Sequence, residues 1–202
     1  MSTNKQYYTY LKGRSQLGLC YRRYWLYPRL NRHIHGKALD VGCGIGDFLR
    51  YRPGTVGVDI NSDTVQWCQQ QGLDARLMPI DHLPFNDAHF DSVMLDNVLE
   101  HLAQPEPLLQ QIHRVLRPSG TLLVGVPGQR GYASDPDHKI FYDAALLVST
   151  TQHAGFHLTQ LFYTPVQSEW LNEHMRQYCL YGVFQKTPHE KSVSDSPMPH
   201  HD

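Results

Sequence analysis

Short apolar runs, each closed by a glycine or an acid, recur along the first two thirds of the chain and alternate with stretches of helical periodicity. "ALDVG" (38–42) and "TVGVD" (55–59) have the length and composition of buried strands feeding tight turns. Between them "DFLRYRPG" leaves room for about two helical turns before a Pro/Gly stop. "NSDTVQWCQQQG" opens on the cap residues Asn61, Ser62 and Asp63, carries Val65 and Cys68 at helical spacing and stops at Gly72.

A brief strand over 75–78 precedes the turn-rich "PIDHLPFNDAHF". "DSVMLD" (91–96) is the next buried strand, followed by "NVLEHL" and by a helix in "PEPLLQQIHRVLRPSG", where Leu108, Ile112, Val115 and Leu116 share a face and Pro118 and Gly120 end it. "TLLVGVP" (121–127) is a fifth strand. Strand and helix in strict alternation imply a parallel sheet covered on both sides, with ligands at the carboxyl ends of its strands. Beyond Pro127 the pattern loosens to a loop, "GQRGYASDPDHK", a helix in "YDAALLVSTTQHAG" ending at Gly155, a β-rich "FHLTQLFYTPV" and a last strand in "QYCLYGVFQK" (177–186).

A chain of 202 residues suits one core with trimmings. The expected organisation is a basic, aromatic-rich helical lid over 1–35, a ligand-binding domain over 36–186 and a disordered tail over 187–202, which has almost nothing to bury. Cys20, Cys43, Cys68 and Cys179 share neither CxxC spacing nor a metal-ligand pattern, no signal peptide is evident and no apolar run spans a membrane, so a cytoplasmic protein with at most peripheral membrane contact is expected.

Net charge is −1, yet residues 1–37 carry Lys5, Lys12, Arg14, Arg22, Arg23, Arg29, Arg32 and Lys37 without an acid, and the rest is acidic overall. Leu17, Tyr21, Tyr24 and Trp25 are spaced to share a helical face there. The segment reads either as a packed helix with a solvated basic side, or as a surface for an anionic or lipid-linked acceptor. The acidity of the remainder and the lack of an RNA-binding module argue against nucleic acid.

"KALDVGCGIGDFLR" decides the ligand. The dinucleotide fingerprint needs GxGxxG, but Gly42, Gly44 and Gly46 run as GxGxG, and Asp47 stands where the third glycine belongs. Asp40 lies two residues before the first glycine. A pyrophosphate there would be repelled by carboxylates, whereas a cation would be attracted. With these residues the stretch resembles motif I of the class I S-adenosylmethionine-dependent methyltransferases, of the type 11 kind. "LPFNDAHFDSVMLDNVLEHL" and "VLRPSGTLLVGVP" are similar to that family's later blocks in the right order.

The resemblance implies a Rossmann-like three-layer α/β sandwich with a mostly parallel seven-stranded sheet and an antiparallel last strand. It also implies S-adenosyl-L-methionine as cofactor; from the residues themselves no metal is expected. It assigns Asp40, Gly42, Cys43, Gly44 and Gly46 to the loop at the methionine part, Asp59 to the ribose hydroxyls, Ile60 to the adenine ring and Asp96 to the cofactor pocket. Many relatives hold the adenine amino group with an acid where Pro79 stands here, so Ile80 and Asp81 are the expected substitutes. The Cys43 thiol is expected to be inert.

An oxygen acceptor also needs a base. His138, in "SDPDHKIFYD", is the candidate, with Asp135 and Asp137 near enough in sequence to orient it; the competing role is a cap on the following helix. His101 is expected to be structural or cofactor-proximal and His82 a pocket wall. Asp135, Asp137 and His138 could alternatively hold a divalent ion, a reading disfavoured by the lack of a third well-placed acid. "DHKIFYDAALLVSTTQHAGF" resembles a pattern of bacterial methyltransferases in surface-polysaccharide pathways, which points to O-methylation of a sugar or glycan precursor. The alternatives are a small-molecule C- or N-methyltransferase and a noncatalytic partner subunit.

Overall fold

The computed structural model describes residues 16–187; the expected tail and the first part of the expected lid lie outside them. Seven strands form one sheet: β1 Ala38–Val41, β2 Val56–Asp59, β3 Ala75–Leu77, β4 Phe90–Asp96, β5 Leu116–Pro127, β6 Phe156–Thr164 and β7 Cys179–Lys186. Their order is β3-β2-β1-β4-β5-β7-β6, and β7 alone runs antiparallel to its neighbours. The Rossmann-like arrangement read from the sequence is therefore the one observed.

Side chains alternate across the strands, so neighbouring residues enter different layers. Val93, Leu95, Leu122, Val124 and Val126 join one cluster with Leu108, Leu109 and Ile112 of the helix Glu106–Val115 and Leu147 of the helix Ala144–His153. Met94, Leu123, Tyr181 and Val183 face the opposite side and meet Leu26, Tyr27, Leu30, Ile34 and Phe48.

The segment ahead of β1 thus contributes to the core, but through a different face from the one expected. Leu17, Tyr24 and Trp25 are exposed. The chain enters a π-helical turn at Arg22–Leu26 before the helix Tyr27–Asn31. The wider turn shifts the angular position of every later residue, which a 3.6-residue period does not anticipate.

Local signals placed other elements well. Asn61 caps the helix Ser62–Gln70 by accepting the Asp63 N–H at 2.9 Å. Asp143, not His138, caps the helix Ala144–His153, through the Leu146 N–H at 2.8 Å. The helix before β5 ends at Val115 rather than at Pro118, because Leu116 already pairs with Phe90. The stretch read as a loop after Pro127 contains one short helix, Gln129–Tyr132.

Candidate active site

The strand order reverses direction between β1 and β4, and the loops leaving their carboxyl ends diverge there to open a crevice. A cavity of about 440 Å³ occupies it. Its lining comes mainly from the loops after β1, β2, β3, β4 and β5, with Arg22 and Tyr27 contributing from the segment ahead of β1.

The loop after β1 is shaped by its glycines. Gly42 and Gly46 have φ of 76° and 77°, in the left-handed region. A Cβ on Gly42 would lie 2.4 Å from Val98, and one on Gly46 would lie 2.6 Å from Leu73 and 2.9 Å from Cys68. The third glycine therefore serves close packing against the helix Ser62–Gln70 and the turn after it, while standing at the N-cap of the helix Asp47–Tyr51. The Cys43 thiol is buried and its pKa is raised by its hydrogen bond with Cys68 and by burial, which fits an inert role.

Asp59, at the end of β2, accepts the Gly44 N–H on one carboxylate oxygen and the Asn61 N–H on the other, both at 2.8 Å. Each oxygen keeps a further lone pair. Burial raises the Asp59 pKa against the lowering effect of these donors. Asp40 is buried too, and burial together with the Asp96 and Asp59 carboxylates pushes its pKa well above the usual range.

Asp96 ends β4. Tyr181 donates to its Oδ1 at 2.7 Å, Asn97 Nδ2 lies 3.4 Å from the same oxygen, and Arg22 Nη1 lies 3.4 Å from Oδ2. Burial works against the Arg22 charge, but Tyr27 and Asp96 more than offset it and keep the guanidinium protonated. Arg22 is therefore committed to the cavity wall. Arg23 is exposed.

Among the described residues, Asp40, Asp47, Asp59, Asp81, Asp96, Asp135 and Asp137 line the cavity, against Arg22 alone of the lysines and arginines. Such a space favours a cation. At one end Ile60 and Ile80 expose 59% and 74% of their surface, with Met78 buried between them in sequence and lining the same space. Exposed isoleucines flanking a concave site provide apolar walls for a flat ring. Pro79 does not line the cavity, whereas Ile80 and Asp81 both do; Asp81 adopts a φ of 56°. His82, expected as a pocket wall, is exposed and outside the lining.

The opposite end carries His101, Asp135 and Asp137. His138 does not line the cavity. Its ring sits behind, centred 4.6 Å from that of His101 and stacked on Tyr132 at 5.3 Å. Asp135 does not orient it; Asp135 instead accepts the Asp137 N–H at 2.9 Å, and His138 Nδ1 donates to the Tyr132 carbonyl at 2.8 Å. Its Nε2 faces Glu100 Oε1 at 3.9 Å. Glu100 is fully buried, and burial raises its pKa to about 8, opposed by its own backbone N–H, which lies near the carboxylate without making a hydrogen bond. The His101 pKa is lowered by burial and by His138.

Sequence reasoning assigned no role to Tyr181, Glu100 or Tyr132, and it treated Arg22 only as part of a basic segment. Glu100 had one available signal, an acid inside an otherwise apolar "VLEHL". Tyr181 had none, since it reaches Asp96 across the intervening strand β5.

Residues 39–124 match the family model described as a methyltransferase domain. A probable S-adenosylmethionine-dependent methyltransferase of Mycolicibacterium smegmatis is 30% identical over 161 residues, covering 69% of this chain and 62% of that protein. A fatty-acid O-methyltransferase of the same organism is 37% identical over 103 residues, 45% of this chain and 37% of its own length. The chain spans 48%, 30% and 62% of the length of three curated relatives that it matches. Among solved structures, a Thermotoga maritima methyltransferase superposes with a TM-score of 0.72 at 15% identity over 90% of this chain and 98% of that one. A Haloferax volcanii methyltransferase in complex with the Trm112 activator gives 0.71 at 16% identity, over 93% and 99%. These structural likenesses concern the fold.

Proposed function

We propose that this chain, which belongs to the class I S-adenosylmethionine-dependent methyltransferases, transfers a methyl group to a hydroxyl of a sugar or glycan precursor. Its cofactor is S-adenosyl-L-methionine, and the residues present suit that molecule. Asp59 is available to the ribose hydroxyls, Ile60 and Ile80 to the adenine, and Asp40 and Asp96 supply negative charge for the ammonium and sulfonium. The bound cofactor supplies an activated methyl group, so the protein's part is to align the acceptor and exclude water.

One observation carries the acceptor class: the far end of the cavity is walled by His101, Asp135 and Asp137. Carboxylates accept hydrogen bonds from hydroxyls and repel anions. A neutral, hydroxyl-rich acceptor therefore suits this end better than a phosphate-bearing one, and Arg22 is already engaged with Asp96. The proton released from an attacking hydroxyl passes to the Asp135 and Asp137 carboxylates on this wall, since His138 does not line the cavity.

Incubation with methyl-labelled cofactor and a panel of neutral sugars and oligosaccharides, set beside nucleotide sugars and lipid-linked glycans and read by mass spectrometry, tests this reading. A gain of about 14 mass units, one CH₂ group, on a carbohydrate oxygen is the expected result. Transfer to carbon or nitrogen alone would overturn the oxygen acceptor. Cofactor binding without transfer to any acceptor would favour a partner subunit.

A further inference from the structure

The group behind the acceptor end has a feature that methyl transfer does not explain. His138 Nδ1–H is spent on the Tyr132 carbonyl at 2.8 Å, so in the neutral ring Nε2 presents a lone pair. That lone pair faces Glu100, whose two carboxylate oxygens are buried without a hydrogen-bond partner among the described residues. The two groups stand 3.9 Å apart, too far to share a hydrogen bond directly, so nothing in the pair meets the negative charge of an ionised Glu100. His101 supplies a third donor atom, and the three ligand atoms lie within 4.8 Å of one another. A buried, unpartnered carboxylate beside two imidazole lone pairs calls for a positive charge between them.

From this juxtaposition we infer that Glu100, His101 and His138 form a binding site for one divalent transition-metal ion. Two nitrogens and one carboxylate oxygen suit zinc, cobalt, manganese or iron, whereas magnesium and calcium prefer all-oxygen sites. Ligands about 2.0–2.2 Å from an ion stand no more than about 4.4 Å apart, so the cluster closes on it by a few tenths of an ångström.

The backbone holds the parts in place. Glu100 and His101 belong to the 3₁₀ turn Leu99–His101, and the Glu100 carbonyl accepts the N–H groups of Lys139 at 2.7 Å and Ile140 at 3.2 Å. This stitches the loop carrying His138 onto the turn carrying the other two ligands. Tyr132 fixes the His138 ring and tautomer, the part an outer carbonyl plays at metal-bound histidines. Three protein ligands leave a coordination position open. Because His101 lies on the cavity wall, that position is directed to the acceptor end, where an ion would hold an acceptor oxygen and lower its pKa. The inference deepens the oxygen-acceptor reading, but ion binding itself does not require it.

Titration of the full chain with Co²⁺, followed by visible absorbance, tests the site without any methyl acceptor. The expected result is one equivalent bound, with d–d bands of nitrogen and oxygen ligation, no thiolate charge-transfer band, and displacement by Zn²⁺. His138→Ala and Glu100→Gln should each weaken binding at least tenfold, while replacing His200 and His201 by Ala leaves it intact. His138 sits in a loop, so His138→Ala keeps the test open if Glu100→Gln does not fold. Absence of saturable binding, or equal binding by folded His138→Ala, would overturn the site and leave a proton as the charge between Glu100 and His138. Failure of the acceptor reading would appear separately, as transfer to carbon or nitrogen with the cobalt spectrum unchanged.

Discussion

Tyr181 donates a hydrogen bond to Asp96 across an intervening strand, at 2.7 Å, and it can do so because residue 125 is a glycine. Asp96 pairs with Gly125 in the β4–β5 register and Gly125 with Tyr181 in the β5–β7 register. A Cβ at 125 would lie 2.3 Å from the Tyr181 ring and 2.9 Å from Asp96 Oδ1. The phenol lies flat over a bare backbone to brace a carboxylate of the cofactor cavity.

Gly125→Ala is expected to destabilise the fold by about 1–3 kcal/mol, the usual cost of forcing extra atoms into a packed interior. Tyr181→Phe keeps the packing and loses the hydrogen bond to a charged group, which costs about 1.5–3 kcal/mol. Urea denaturation of both variants measures this. A Tyr181→Phe protein as stable as the parent would mean that Arg22 and Asn97 suffice to hold Asp96.

Asp59→Ala should weaken S-adenosylmethionine binding by about 1.5–3 kcal/mol, since hydrogen bonds to an ionised acceptor are lost. The same change frees the Gly44 and Asn61 N–H groups, so Asp59→Asn, which keeps one acceptor oxygen, should fall between Ala and the parent. Calorimetric titration separates the three. Unaltered affinity in both variants would show that the ribose is held elsewhere.

Ile60 and Ile80 are largely exposed, so Ile60→Ala and Ile80→Ala should each change fold stability by no more than about 0.5 kcal/mol. Each should nevertheless weaken cofactor binding by about 1 kcal/mol, because apolar surface is covered only when the ring is present. Stability loss without loss of affinity would refute the adenine assignment.

Cofactor affinity and the stability of the cofactor-free protein should depend on pH in opposite senses. The Asp40 pKa is raised by burial and by Asp96 and Asp59, so the folded state holds a proton that the unfolded chain releases near pH 3.9. That stabilisation is complete below the unfolded value and is lost as pH rises through the folded one. A cationic ligand prefers the ionised carboxylate, so its affinity falls as pH drops through the same raised value. Asp40→Asn should flatten both profiles and bind cofactor more weakly. Superimposable profiles for parent and variant would assign the dependence to another group.

Sequence periodicity, caps and glycine placement located all seven strands to within a few residues, because strand alternation and capping depend on near neighbours. The acid-flanked glycines also indicated a cationic ligand, since charge is legible without coordinates. Of the face expected there, Tyr21 packs against the core, whereas Tyr24 and Trp25 lie within a π-turn that rotates them outward, and Leu17 ahead of it is exposed as well.

What the chain order could not disclose are contacts between residues far apart along it: Tyr181 with Asp96, Arg22 with Asp96, and His138 with Glu100 instead of with its neighbours Asp135 and Asp137. Spacing alone determined a parallel sheet covered by helices and the sign of charge in the cavity, and the resemblance supplied the rest of the fold. Only the tertiary structure decided which buried carboxylates are braced and which, like Glu100, are left facing a lone pair, because that balance is set by the packing of β7 and the loop after β5 against the end of β4.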